Sequence, residues 1–132
     1  MTKISSEKIK LLHQLMAEAT GGSIGVRDEG LLDSAVESAF ATFDGVELYP
    51  TKEEKAAKMC YSLVSNHAFV DGNKRIGVYV MISFLELNGI HIYSSDEDVI
   101  ALGLGLADGS MHQEDVLKWI EKHKGGYLRP TS

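Results

Sequence analysis

Apolar residues recur along this chain at helical spacing, and capping residues divide the pattern into blocks. Ser5 or Ser6 opens a stretch with Ile9, Leu12, Leu15, Met16 and Ala19 on one face, and Gly21-Gly22 closes it. Asp28 is placed to cap a second block carrying Leu31, Leu32, Ala35, Val36 and Ala39, which fades near Thr42. Pro50-Thr51 starts a third, where Thr51 and Glu54 have capping-box spacing, and it runs to about Asn66. A fourth runs from Asn73 to the stop at Asn88-Gly89 and is apolar nearly all round from Ile76 to Leu87, which predicts a helix in the centre of the domain. Ser95 with Asp98 opens a fifth, ended by Asp108-Gly109. Ser110 with Gln113 has the spacing to open a sixth, ended by Gly125-Gly126.

Between the second and third blocks, Asp44-Gly45 lies between the short runs Thr42-Phe43 and Val46-Glu47-Leu48, a hairpin signal. The expected fold is all-α: one compact domain spanning 1–132, of about six helices, with one short β-hairpin.

Composition narrows the class. The 132 residues are 44% apolar and 24% charged, an ordinary globular balance long enough to bury a core without disulfides. Cys60 is the only cysteine and reads as a small buried residue. Thirteen Lys and Arg against nineteen Asp and Glu leave a net charge of −6, which argues against nucleic-acid binding by the domain itself. The first residues hold no apolar signal segment and no run is long enough to span a bilayer, so a cytoplasmic location without a membrane partner is the expectation.

One segment concentrates polar chemistry. His67, Asp71, Asn73, Lys74 and Arg75 fall within nine residues, at the entrance of the most apolar helix. The free N–H groups and dipole of a helix start favour an anion, Gly72 permits close approach, and two cations add charge. A carboxylate beside phosphates suits Mg²⁺, and a histidine suits proton transfer. Taken singly, each residue has an ordinary reading: Asp-Gly-Asn is a common turn and cap, and surface His, Lys and Arg are usually solvated. The residues alone leave both an active site and a surface turn open.

The stretch His67-Ala68-Phe69-Val70-Asp71-Gly72-Asn73-Lys74-Arg75 resembles the signature of the Fic/Doc superfamily, His-Pro-Phe-x-Asp/Glu-Gly-Asn-Gly-Lys/Arg. Ala68 replaces the proline. Lys74, in place of glycine, and Val78, in place of a second arginine, are similar to the Doc, or death-on-curing toxin, branch. The segments from Gly25 to Ala35 and from Leu48 to Ala57 also look familial. The resemblance implies His67 as general base, Asp71 as Mg²⁺ ligand, and Gly72, Asn73, Lys74 and Arg75 as phosphate contacts. It further implies that the hairpin with Phe43, Val46 and Leu48 is a flap aligning a protein target. By the same resemblance ATP is the co-substrate, and a translation elongation factor is the expected target class. Phosphorylation of a Ser or Thr hydroxyl is favoured over adenylylation, because a lysine fills the room that glycine leaves for the phosphates. An inactive binding module is the third alternative. No Ser/Thr-x-x-x-Glu-Gly/Asn inhibitory match occurs, since Gly25 stands at the hydroxyl position before Glu29-Gly30, so an antitoxin acting in trans is expected.

Overall fold

The computed structural model describes residues 2–20, 25, 29–66 and 73–125. Among these, six helices and one hairpin follow in the order α1 Ser6–Thr20, α2 Glu29–Ser38, β1 Thr42–Phe43, β2 Val46–Glu47, α3 Lys52–Asn66, α4 Asn73–Leu87, α5 Asp96–Ala107 and α6 Gln113–His123. None of these helices is long and apolar enough to cross a membrane.

Local chemistry sets most of the helix ends. The Ser5 hydroxyl accepts from the Lys8 N–H at 3.1 Å and caps α1. Thr51 and Glu54 form the expected reciprocal pair at the start of α3, with Glu54 N–H to Thr51 Oγ1 at 3.0 Å and Thr51 N–H to Glu54 Oε1 at 3.3 Å. Ser95 and Asp98 do the same for α5, at 2.9 and 3.1 Å. Gly89 and Gly109 take positive φ, 86° and 84°, just past α4 and α5. The predicted caps at Asp28 and Gly21-Gly22 lie outside the described residues.

Three boundaries differ from the sequence pattern. First, α2 ends at Ser38, short of Thr42, and its last carbonyls are taken up by i→i+3 bonds from the Ala39, Phe40 and Ala41 N–H groups. Second, the residue that opens α6 is His112, whose N–H donates to Asp115 Oδ2 at 2.8 Å. Ser110 has the right spacing but is engaged elsewhere: its N–H donates to Asp108 Oδ1 and its hydroxyl to the Gly105 carbonyl. Third, α6 stops before the glycines because Lys124 turns extended and bridges to Ile92, with the Tyr93 N–H donating to the His123 carbonyl. Gly125 is buried there, where any Cβ would collide with the Tyr93 ring; Gly126 lies outside the described residues.

The core is built around α4. Its Ile76, Val78, Val80, Met81, Phe84 and Leu85 are fully buried, so the all-round apolar pattern does mark the central helix. It packs on α3, α5 and α1, while α3 also contacts α2, α5 and α6. Met59 and Cys60 on α3 and Ile120 on α6 are equally buried. Burial pushes the Cys60 thiol up to about 12.

The α3–α4 contact is closest at Gly77. A Cβ built there would lie 2.7 Å from Val64 Cγ2 and 3.1 Å from the Cys60 carbonyl oxygen. Replacing Gly77 with valine should lower stability by about 1–3 kcal/mol through overpacking, since valine gains little helix propensity over glycine. A urea titration reads this, and an unchanged midpoint would show that α3 can give way. Cys60 should resist a thiol reagent at pH 8 in the native state and react fully in denaturant. Rapid native labelling would contradict its burial.

Candidate active site and hairpin edge

α3 and α4 run side by side and antiparallel. Lys52 Nζ at the start of α3 donates to the Asn88 carbonyl just past α4, at 2.8 Å, and Gly77 near the start of α4 meets Val64 near the end of α3. The segment joining them carries the signature. His67, Asp71 and Gly72 lie outside the described residues, as do Ala68, Phe69 and Val70. For Asn73 and Lys74 the helical backbone is described but the side chains are not. Arg75 is exposed in the first turn of α4. The structure therefore places the two helix ends that flank the signature, and Arg75 beside them.

The charge at that end of α4 is unusual within the molecule. The other five described helices all carry a carboxylate in the first turn: Glu7, Glu29, Glu53 with Glu54, Asp96 with Glu97 and Asp98, and Glu114 with Asp115. Each offsets the positive end of its helix dipole. α4 has no acidic residue in its first turn and carries Lys74 and Arg75 there instead. Two cations on the positive end of a dipole repel it, and an anion bound at that end removes the repulsion.

The hairpin forms as the Asp-Gly signal predicts. Phe43 pairs with Val46 and Thr42 with Glu47, and the Leu48 N–H donates to the Ala41 carbonyl at 3.0 Å. Asp44 and Gly45 take φ of 54° and 79°, the two left-handed residues of a type I′ turn. Phe43, Val46 and Leu48 are 75%, 67% and 51% exposed. A two-stranded hairpin leaves two unpaired edges, and exposed apolar side chains beside such an edge suit strand addition by another chain. A cavity of about 300 Å³ opens at the hairpin's end between Leu48, Tyr49, Ala57 and Leu117, on the α6 side.

One residue at this site has no place in the sequence reading. Lys55, on α3, is only 1% exposed. Its ammonium bonds Glu47 Oε1 at 2.8 Å and the Tyr49 carbonyl oxygen, and it stands 5.3 Å from the centre of the Phe40 ring. The signal available in sequence was a lysine on an apolar helix face shared with Met59 and Ser62-Leu63, but such a lysine ordinarily reaches out to solvent. Gly77 was likewise visible only as a helix-interior glycine, which weakens a helix unless packing requires it. Two of the remaining histidines behave as framework. His13 is buried, and His123 stacks on Trp119 with ring centroids 4.1 Å apart while its Nδ1 lies 2.8 Å from the Trp119 carbonyl oxygen.

The comparisons with known proteins point the same way. A model of the Fic/DOC family matches residues 3–85, which include the whole signature and the hairpin. The chain is 48% identical over 81 residues to Toxin Doc of Mycolicibacterium smegmatis, covering 61% of this chain and 62% of that protein. It is 26% identical over 125 residues to Protein kinase doc of Escherichia phage P1, covering 95% of this chain and 98% of that protein. The chain thus spans less than two thirds of the mycobacterial protein's length, and nearly all of the phage protein's.

Replacing Gly45 with valine should disturb the turn, because a β-branched residue is strained at positive φ. Amide exchange at Leu48 should speed up, with global stability changed by no more than about 0.5 kcal/mol, as expected for a surface site. A large fall in the unfolding midpoint would mean that the hairpin supports the core.

Proposed function

The chain belongs to the Fic/DOC family, and on that premise we propose that it is a Doc-like toxin that transfers the γ-phosphoryl group of ATP to a Ser or Thr hydroxyl of a protein. The observation that carries the reading is the first turn of α4, where Lys74 and Arg75 replace the carboxylates that open the other described helices. The name of the phage relative, Protein kinase doc, supports phosphoryl transfer over nucleotidyl transfer.

The roles follow from the chemistry of each residue. Backbone N–H groups at Gly72 and Asn73, with the Lys74 and Arg75 side chains, bind the phosphates and draw off negative charge as it develops. Asp71 is the carboxylate that would hold Mg²⁺, and one carboxylate combined with phosphate oxygens and water is a donor set that ion accepts. The bound ion would add positive charge beside the phosphates. His67 takes the proton of the target hydroxyl as its oxygen forms a bond to the γ-phosphorus. The bond from that phosphorus to the bridging oxygen breaks, and ADP leaves with the electron pair.

The hairpin edge at Phe43, Val46 and Leu48 receives the target as an added strand. From Lys55, beside the hairpin's foot, to the end of α3 is about 16 Å along the helix axis. That is roughly five residues of extended chain. A translation elongation factor is the target class the family relationship suggests, which would place the protein's action in the cytoplasm. An antitoxin acting in trans fits the same reading, because a protein named Toxin Doc is among its relatives.

Incubation of the protein and a cell lysate with ATP labelled at either the α or the γ position tests the reaction. Label should pass to protein from the γ position only. Transfer from the α position would make the protein an adenylyltransferase, and transfer from neither would make it a binding module. His67→Ala should reduce transfer by about 10²–10⁴-fold, and an undiminished rate would remove His67 from the chemistry.

A further inference from the structure

The hairpin is poorly attached to the rest of the molecule. β1 and β2 pair with each other, and neither packs extensively on a helix. Its apolar side chains face outward. An edge that aligns a target must nevertheless hold a fixed place relative to the reacting groups, since a displacement of about 1 Å can cost a hundredfold in rate.

The foot before β1 is held by Phe40, edge-on to Phe84 with ring centroids 6.1 Å apart, and Lys55 supplies the polar part of the attachment. Its ammonium reaches both feet of the hairpin: Phe40 lies just before β1, Glu47 belongs to β2, and Tyr49 follows it. The lysine itself sits on α3, the same helix whose far end leads into the signature. α3 packs on four other helices, so it serves as a ruler between the hairpin and its own far end at Asn66. Stability does not explain the choice of residue. A buried ion pair is often matched or bettered by an apolar side chain of similar size, and methionine would fill the same space. What methionine cannot do is bond a carboxylate and a carbonyl on a segment with little packing of its own.

We infer that Lys55 is the positioning residue of the target-aligning edge, holding the hairpin at a fixed distance from the phosphate end of α4. This inference rests on the hairpin role proposed above, and it can be tested apart from it. Nitroxide labels are introduced at Thr42→Cys on the hairpin and Lys118→Cys on α6, Cys60 being buried. Pulsed electron resonance then reads the distance between them in the otherwise native protein, in Lys55→Met and in Glu47→Gln. Glu47 is half exposed, so glutamine is accommodated there without a clash, at the loss of the charge that Lys55 faces. The native background should give one narrow distribution, broadened at least twofold by either substitution, in proteins that still unfold cooperatively on heating.

In the labelled-ATP assay Lys55→Met should transfer about tenfold less phosphate to protein. Binding of a fluorescent ATP analogue, measured separately, should be unchanged. A distribution that stays narrow in both variants overturns the inference, as does undiminished transfer from a Lys55→Met protein whose hairpin has loosened. If the native protein transfers no label, the proposed reaction fails, and the distance measurement alone decides whether Lys55 holds the hairpin.

Discussion

Between α3 and α4 there is room at position 77 for a hydrogen atom and nothing larger. The Val64 methyl and the Cys60 carbonyl occupy the space a side chain would need. This contact brings the first turn of α4 against the last turns of α3, so the six residues of the connection, 67–72, start and finish at neighbouring helix ends. The proposed roles, a general base on the α3 side and phosphate contacts on the α4 side, require that condition. The glycine weakens α4 by roughly 1 kcal/mol relative to alanine, and the close approach is what that cost secures.

The same contact explains why the central helix can end in a polar site. Seven of residues 76–85 of α4 are buried and the other three partly so, which fixes the helix axis and hence the direction of its dipole. A carboxylate would be the ordinary residue for such an end, as on every other described helix. Its replacement by Lys74 and Arg75 sacrifices a little intrinsic helix stability, and on the proposed reading the return is an affinity for anions. The proposed phosphoryl transfer uses that affinity twice, in binding ATP and in spreading the charge of the departing ADP.

The hairpin follows a different rule. Its strands contribute little to the core and keep their apolar side chains in water, and packing reaches only its foot, where Phe40 stands edge-on to Phe84. Directional bonds add to that hold. A single buried ammonium joins residues on either side of the turn to a helix that is itself well packed. Core packing places the phosphate end of α4, and a polar clamp places the hairpin edge.

The sequence by itself determined the helical class, the six elements and nearly all their starts, because caps such as Thr51–Glu54 and Ser95–Asp98 act within one turn and need nothing distant. It determined the Asp44-Gly45 turn for the same reason, and the signature from His67 to Arg75 carried the family relationship. Tertiary structure decided what depends on distant partners. The end of α6 fell at His123 because Lys124 bridges to Ile92, far back along the chain, whereas its start fell to His112 for a local reason, Ser110 being engaged by Asp108 and Gly105. Lys55 looks like a surface lysine until Phe40, Glu47 and Tyr49 close over it, and Gly77 looks like a flaw until α3 is laid against it. Local hydrogen bonds can be read from spacing along a chain, whereas a buried charge and a close helix contact are defined only by residues that folding brings together.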